Sequence, residues 1–416
     1  MRNKTPEELC QEREKRVNDA VQLNEPDRVP IVPMFGYFPA FYKGLSIQES
    51  MYDYGKMKSA WIAVIQEFEP DLAENPVNIR FLGSVLETLD YKQLRWAGHG
   101  LDSNASYQYV EGEYMKAEEY SRFLDDPTDF VLRTYWPRVF GCFKAFEKLP
   151  PLHDILSYYL GLAKFAFFDH EAVLEALQAL TKAAKEATKM IQNATDFNES
   201  LKKSGFPPQY GGMSHAPFDT ISDFMRGTRG AMLDMYRQPD RILETVEKLL
   251  PMHLQMGLAA KARGIPRVFI PLHKGLDGFM SIEQFKKFWW PTVKRLIEGL
   301  IDGGCTPFLF WEGDVESRLE IIGDIPRGKA VYSFERTDMF RAKEVLGDTV
   351  CLKGNVPLSI LSTGIPEDVR SFCKKLIDKV AKGGGFIMDS STVLDEAKPE
   401  NIKAMFEFTK EYGQYT

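Results

Sequence analysis

Glu312, Asp314, Glu335, Asn355 and Asp389 each stand where a short apolar run ends and a segment of helical character begins. The four runs are 306–314 (TPFLFWEGD), 329–338 (KAVYSFERTD), 349–357 (TVCLKGNVP) and 383–391 (GGGFIMDSS). Read as parallel strands, they gather these polar residues at their carboxyl ends, where carboxylates transfer protons or ligate metals. His215 in GGMSHAPFD and His273 in FIPLHKG, two of only six histidines, hold the same kind of position. With Glu312 and Asp389 they supply nitrogen and oxygen donors suited to zinc or a harder divalent ion.

Most of these residues have a structural rival. Asp314 precedes VESRLEII, whose free N–H groups an aspartate would cap. Glu335 has Arg336 and Asp338 beside it, so an ion pair or a cap competes with chemistry there. Glu312, between FLFW and Gly313, has no such rival. Lys353 and Asn355, around Gly354, put a cation and an amide at another strand end, and Asn355 suits the turn shaped by Pro357 equally well. The glycines at 383–385 precede a strand instead of opening a helix, which marks a helix-to-strand turn and not a phosphate loop. Phe35, Tyr37, Phe38, Phe41 and Tyr42 crowd the loop after the first apolar run, where they either line a pocket for a flat ligand or pack in the core.

The elements that must position these residues are predicted as follows. Val29 to Gly36 (VPIVPMFG), Asp71 to Val77, the weak strand beginning at Phe206 and the run Pro266 to His273 join the four late runs to make eight, the number a closed parallel barrel needs. SIEQ at Ser281 reads as a capping box, followed on one apolar side by Phe285, Phe288, Trp289, Leu296 and Leu300, with a kink at Pro291. Pro366 and Pro399 suit first helical turns, and Ile402, Met405, Phe406 and Tyr412 form the buried stripe of the last helix. Between about Leu101 and Lys203 the pattern changes to a hairpin around Gly112 and two amphipathic helices, the second over 172–192 with Val173, Leu177, Leu180, Ala184 and Ile191 apolar. The expectation is one (β/α)8 barrel domain over 1–416, with an N-terminal helical extension and an insertion at about 101–203 that either covers the barrel mouth or forms a homodimer contact.

Composition narrows the function classes. With 52 basic and 59 acidic residues and no dense Lys/Arg stripe, nucleic acid is not an expected partner. The charged first 30 residues and the lack of an apolar run near 18 residues predict a cytoplasmic protein with no membrane contact. The five cysteines (Cys10, Cys142, Cys305, Cys351 and Cys373) are scattered and form no Cys-x-x-Cys pair, which predicts neither a disulfide framework nor a thiolate metal cluster.

An ordered series from about 211 to 413 carries a family resemblance: SHAPFDTISDFMRG, DGFMSIEQFKKFWWPTVKRLI, TPFLFWEG, LKGNVPLSILSTGIPEDV, and GGGFIMDSS followed by KPENIKAMFEFTKEYG. It resembles the uroporphyrinogen decarboxylase superfamily, which includes corrinoid-dependent methyltransferases. The decarboxylase proper has an arginine-rich segment where this chain reads PIVPMFGYFPAF, so decarboxylation of a tetraanionic porphyrinogen is not expected. Thiol-methylating members hold zinc through a His-x-Cys pair and a later cysteine; here Glu312 takes the place of the first cysteine and Ser391 lies near the second. The resemblance therefore implies the branch that demethylates small methoxylated or methylated compounds and passes the methyl group to the cobalt of a separate corrinoid protein. In that reading Glu312, His273 and Asp389 hold a zinc or other divalent ion or deliver a proton to the leaving group. His215, Asn355, Tyr37, Phe35, Trp311 and Lys353 bind the methyl donor. A lyase acting on a small acid, served by Lys353 and Asp389, and a non-catalytic binding protein are the alternatives.

Overall fold

A computed structural model of the chain describes residues 4–415 apart from position 79. Among the described residues nine strands are regular: β1 (Leu94–Ala97), β2 (Gly100–Leu101), β3 (Gln108–Tyr109), β4 (Gly212–Met213), β5 (Arg267–Leu272), β6 (Thr306–Trp311), β7 (Val331–Phe334), β8 (Cys351–Lys353) and β9 (Phe386–Ile387). Strands β4 to β9 form a six-stranded parallel sheet in chain order. Its edges meet through two less regular segments. Ile31 bridges Met388 and Ala73 bridges Pro208, both in parallel sense, and the Asp71 N–H donates to the Ile31 carbonyl at 2.8 Å. These bonds close the ring of eight expected from the apolar runs. Pro30 and Pro33 interrupt the first segment, and Pro207 and Pro208, opposite Ala73, offer the second no ladder N–H, so neither is a continuous strand.

Alternation along each strand decides which side chains enter the barrel. Phe308, Val331, Cys351 and Ile387 point inward and pack with Val32 and Leu72 against Val17, Ala20 and Val21 of the N-terminal helix Pro6–Val21. This helix plugs the amino-terminal end of the barrel. Their strand neighbours Leu309, Trp311, Tyr332, Leu352 and Met388 point outward into the layer shared with the surrounding helices. Asp71, fully buried, ties the plug to the wall: Arg16 Nη1 donates to it at 2.6 Å, Arg28 at 2.9 Å and the Ile31 N–H at 2.7 Å.

The helix punctuation follows the sequence closely. Thr5, Ser46 and Ser281 form capping boxes, and Pro366 and Pro399 stand in first turns. Pro291 lies at the start of helix Trp290–Asp302, and a π-helical turn, Phe285–Trp289, absorbs its missing N–H. Tyr412 is not part of the buried stripe of the last helix; it is 41% exposed and stacks on Phe408.

The insertion departs from expectation. No hairpin folds back at Gly112; instead β3 pairs antiparallel with β1, which lies upstream of the expected boundary, in a small sheet of order β2-β1-β3. The second helix runs over Glu171–Lys203 and buries Val173, Ala176, Ala183, Ala194, Phe197 and Leu201, leaving Ile191 exposed. Among the described residues no helix is long and apolar enough to cross a membrane. Cys305, Cys351 and Cys373 are buried free thiols.

Candidate active site

The carboxyl ends of the barrel strands open into a cavity of about 580 Å³. Met34, Met213, Phe269, Pro271 and Phe310 rise from the wall, and Tyr107, Tyr109 and Glu111, on or beside β3, cover one side. Part of the insertion therefore stands over the barrel mouth.

His273, just past β5, is the centre of the polar wall. Its Nδ1 lies 2.6 Å from Asp223 Oδ2 and its Nε2 lies 3.4 Å from Glu312 Oε1, just past β6. Its backbone N–H donates to Asp219 Oδ2 at 2.7 Å, and the indole N–H of Trp289 donates to Asp219 Oδ1 at 2.7 Å. Burial opposes a charge on the imidazole, but the Asp223 and Glu312 carboxylates overcome it and raise its pKa to about 11. The ring is an imidazolium whose Nδ1–H donates to Asp223, with the Glu312 carboxylate at ion-pair distance from Nε2. Burial alone would lift Asp223, yet His273 and Lys274 hold it below the usual carboxylate range. Asp219 shifts upward, through burial and the Asp223 charge beside it. His215 also lines the cavity; burial and the nearby His273 charge lower its pKa to about 4, so it is a neutral imidazole.

Asp219 and Asp223 were not singled out in the sequence. They sit four residues apart, at the junction of helix Pro217–Thr220 and the π-helical turn Ile221–Arg226. The i, i+4 spacing of two aspartates directly after His215 was the available signal.

Several expected site residues stand elsewhere. Asp389 does not join His273 and Glu312. It points into the barrel but is fully buried, accepts from Lys353 Nζ and from the Ser390 N–H at 2.7 Å, and reaches no cavity surface. Lys353, equally buried, is its partner and binds nothing else in the cavity wall. Asn355 donates to the Thr337 carbonyl at 3.1 Å. Trp311 and Phe35 are fully buried and face the helices, because Glu312 and Met34 beside them take the inward direction. Trp311 packs on Trp289 and Phe35 stacks on Phe406. Tyr37 is buried too, with its N–H donating to Asp395 at 2.6 Å. Asp314 accepts from the Glu316 N–H at 3.0 Å and Asp338 from the Phe340 N–H at 2.7 Å, as caps do.

The donor set does not fit the expected three-ligand ion. Among the described residues no three His, Cys, Asp or Glu side chains are arranged to hold a metal ion. His273 and Glu312 meet, but Asp389 is committed to Lys353.

A family model described as uroporphyrinogen decarboxylase (URO-D) matches residues 163–412, more than half of the chain, and the chain belongs to that family. The uroporphyrinogen decarboxylase of Chlorobium phaeobacteroides is 24% identical over 185 residues, 42% of this chain and 51% of the relative. That of Syntrophotalea carbinolica is 24% identical over 266 residues, 60% of this chain and 74% of the relative. The chain thus spans about half the length of the first of these curated relatives. Among solved structures, a methyltransferase from Methanosarcina mazei shares the fold with a TM-score of 0.63 at 15% identity, covering 96% of this chain and 98% of its own.

Proposed function

We propose that this protein is a methyltransferase that takes a methyl group from a small methoxylated or methylated compound and passes it to the cobalt of a corrinoid on a separate protein. The observation that carries this reading is the imidazolium of His273, held between Asp223 and Glu312 on the wall of an aromatic-lined cavity open at the barrel mouth. A corrinoid bound over that mouth would supply the nucleophile for methyl carbon. This chain's residues supply the rest. Aromatic and apolar side chains hold the donor and exclude water. Asp223 fixes the ring orientation and charge of His273, and the Nε2 proton goes to the leaving oxygen or nitrogen as its bond to methyl breaks. The ring then takes a proton back from solvent at the cavity mouth, and the Glu312 carboxylate, 3.4 Å from Nε2, stabilises the charge that returns to it.

A lyase reading is favoured by the curated decarboxylase relatives, but the Lys353 and Asp389 pair assigned to it is sealed off from the cavity. The test is anaerobic incubation with cob(I)alamin, free or on a corrinoid protein, and a panel of methoxyaromatics, methylamines and betaines, following the cobalt absorbance and the demethylated product. Methyl transfer unchanged by a chelator or by added zinc is expected, and CO2 release without corrinoid would move the assignment to the lyase. Glu312→Ala should lower the methyl-transfer rate by about 10²- to 10⁴-fold with an unchanged melting curve; a fully active variant removes Glu312 from the mechanism.

A further inference from the structure

Among the described residues three cations line the cavity, and two are already engaged. His273 lies between Asp223 and Glu312, and Lys274 Nζ pairs with Asp223 at 3.2 Å while lying 4.7 Å from the Phe279 ring centroid. Arg80 differs. The residue lines the cavity although it is only 7% exposed, and its buried Nε has no hydrogen-bond partner among the described residues. The nearest carboxylate, Glu74, stands at 3.8 Å, beyond hydrogen-bond reach, and Glu74 Oε2 also lacks a partner. The Arg80 guanidinium carbon lies over the Tyr37 ring, 5.2 Å from its centroid. A cation over an aromatic face is attracted there without using its hydrogen-bond donors.

A buried guanidinium with an unpaired N–H is costly unless a ligand completes it. The ligand group that matches a planar fork in a mostly apolar cavity is a carboxylate, bound through parallel charge-assisted bonds. We infer that Arg80 is the anchor for a carboxylate on the substrate, so that the compound taken into this cavity is a small organic acid. This deepens the proposed function and rests on its assignment of the cavity as the methyl-donor site: the donor becomes a methoxylated or methylated carboxylate, bound by its acid group at Arg80 with its methyl-bearing atom toward His273 and Glu312.

Calorimetry on the full chain, without corrinoid, separates this inference from the methyl-transfer reading. The probes are para-methoxybenzoate, benzoate and acetate, each against its neutral amide. The expected result is binding of at least one carboxylate about 10- to 100-fold tighter than its amide, with that preference abolished in Arg80→Gln and partly kept in Arg80→Lys. Equal affinity for acid and amide in the wild-type protein overturns the inference, and so does an undiminished preference in a folded Arg80→Gln. Should Arg80→Gln fail to fold, the wild-type comparison and Arg80→Lys decide alone. An Arg80-dependent carboxylate preference without methyl transfer to cobalt would uphold the anchor and defeat the methyltransferase reading.

Discussion

Glu312 is where sequence and geometry agree most directly: a carboxylate that ends an apolar strand, with no cap to make, faces the cavity beside His273. What could not be read was its company. Asp223 lies 50 positions before His273 along the chain, yet its carboxylate settles the imidazole's charge from 2.6 Å. The folded pKa of His273, about 11, stands above the value of about 6.5 for a free imidazole. The stability drawn from this charged state is therefore fully present below about pH 6.5 and is lost as pH rises through about 11. A proton NMR titration should find the His273 ring signals constant between about pH 5 and 9. Asp223→Asn should bring their titration down toward neutrality and add a matching alkaline limb to the pH profile of turnover. A wild-type ring titrating near pH 6.5 would falsify this account.

At the scale of elements, local chemistry carried most of the information. The capping box at Ser281 is present, with the Gln284 N–H donating to Ser281 Oγ at 3.2 Å and the Ser281 N–H donating to Gln284 Oε1 at 2.9 Å. Ser281→Ala should cost about 1 kcal/mol in a urea melt and leave methyl transfer unchanged. The glycines at 383–385 all adopt positive φ, 81°, 84° and 70°, as a helix-to-strand turn requires. The hairpin expected around Gly112 failed because its alternation of polar and aromatic residues does not specify a partner. β3 found β1 instead, and the two hold Tyr107 and Tyr109 beside the cavity. Strand parity was legible in principle: a residue next to inward Glu312 must point outward, which excludes Trp311 from the cavity wall.

For the whole molecule, the decisive feature is closure. Strands β4 to β9 make a continuous sheet, and the remaining two segments complete the ring with few backbone bonds, so side chains must help. Asp71 accepts bonds from Arg16, Arg28 and the Ile31 N–H, joining the plugging helix and both irregular segments. Asp71→Ala leaves Arg16, 4% exposed, with a broken buried pair. It should cost about 3–5 kcal/mol by denaturant unfolding. A loss within about 0.5 kcal/mol, the range of an ordinary surface substitution, would mean that closure does not depend on this cluster.

The sequence by itself determined the eight apolar runs, the punctuation of the helices and the carboxylates and histidines at the strand ends, because these depend on periodicity, on turn chemistry and on residues within a few positions of one another. Its ordered motifs also determined the family. Only the tertiary structure decided which strand-end groups share one wall. It set Asp389 against Lys353 in the barrel interior, brought Asp223 to His273, and left Arg80 at the cavity with its Nε unpaired. The physical reason is that charge pairing acts through space at a few ångströms, between residues that the chain holds tens to hundreds of positions apart. In a buried site the pairing that forms decides which groups remain free to meet a substrate.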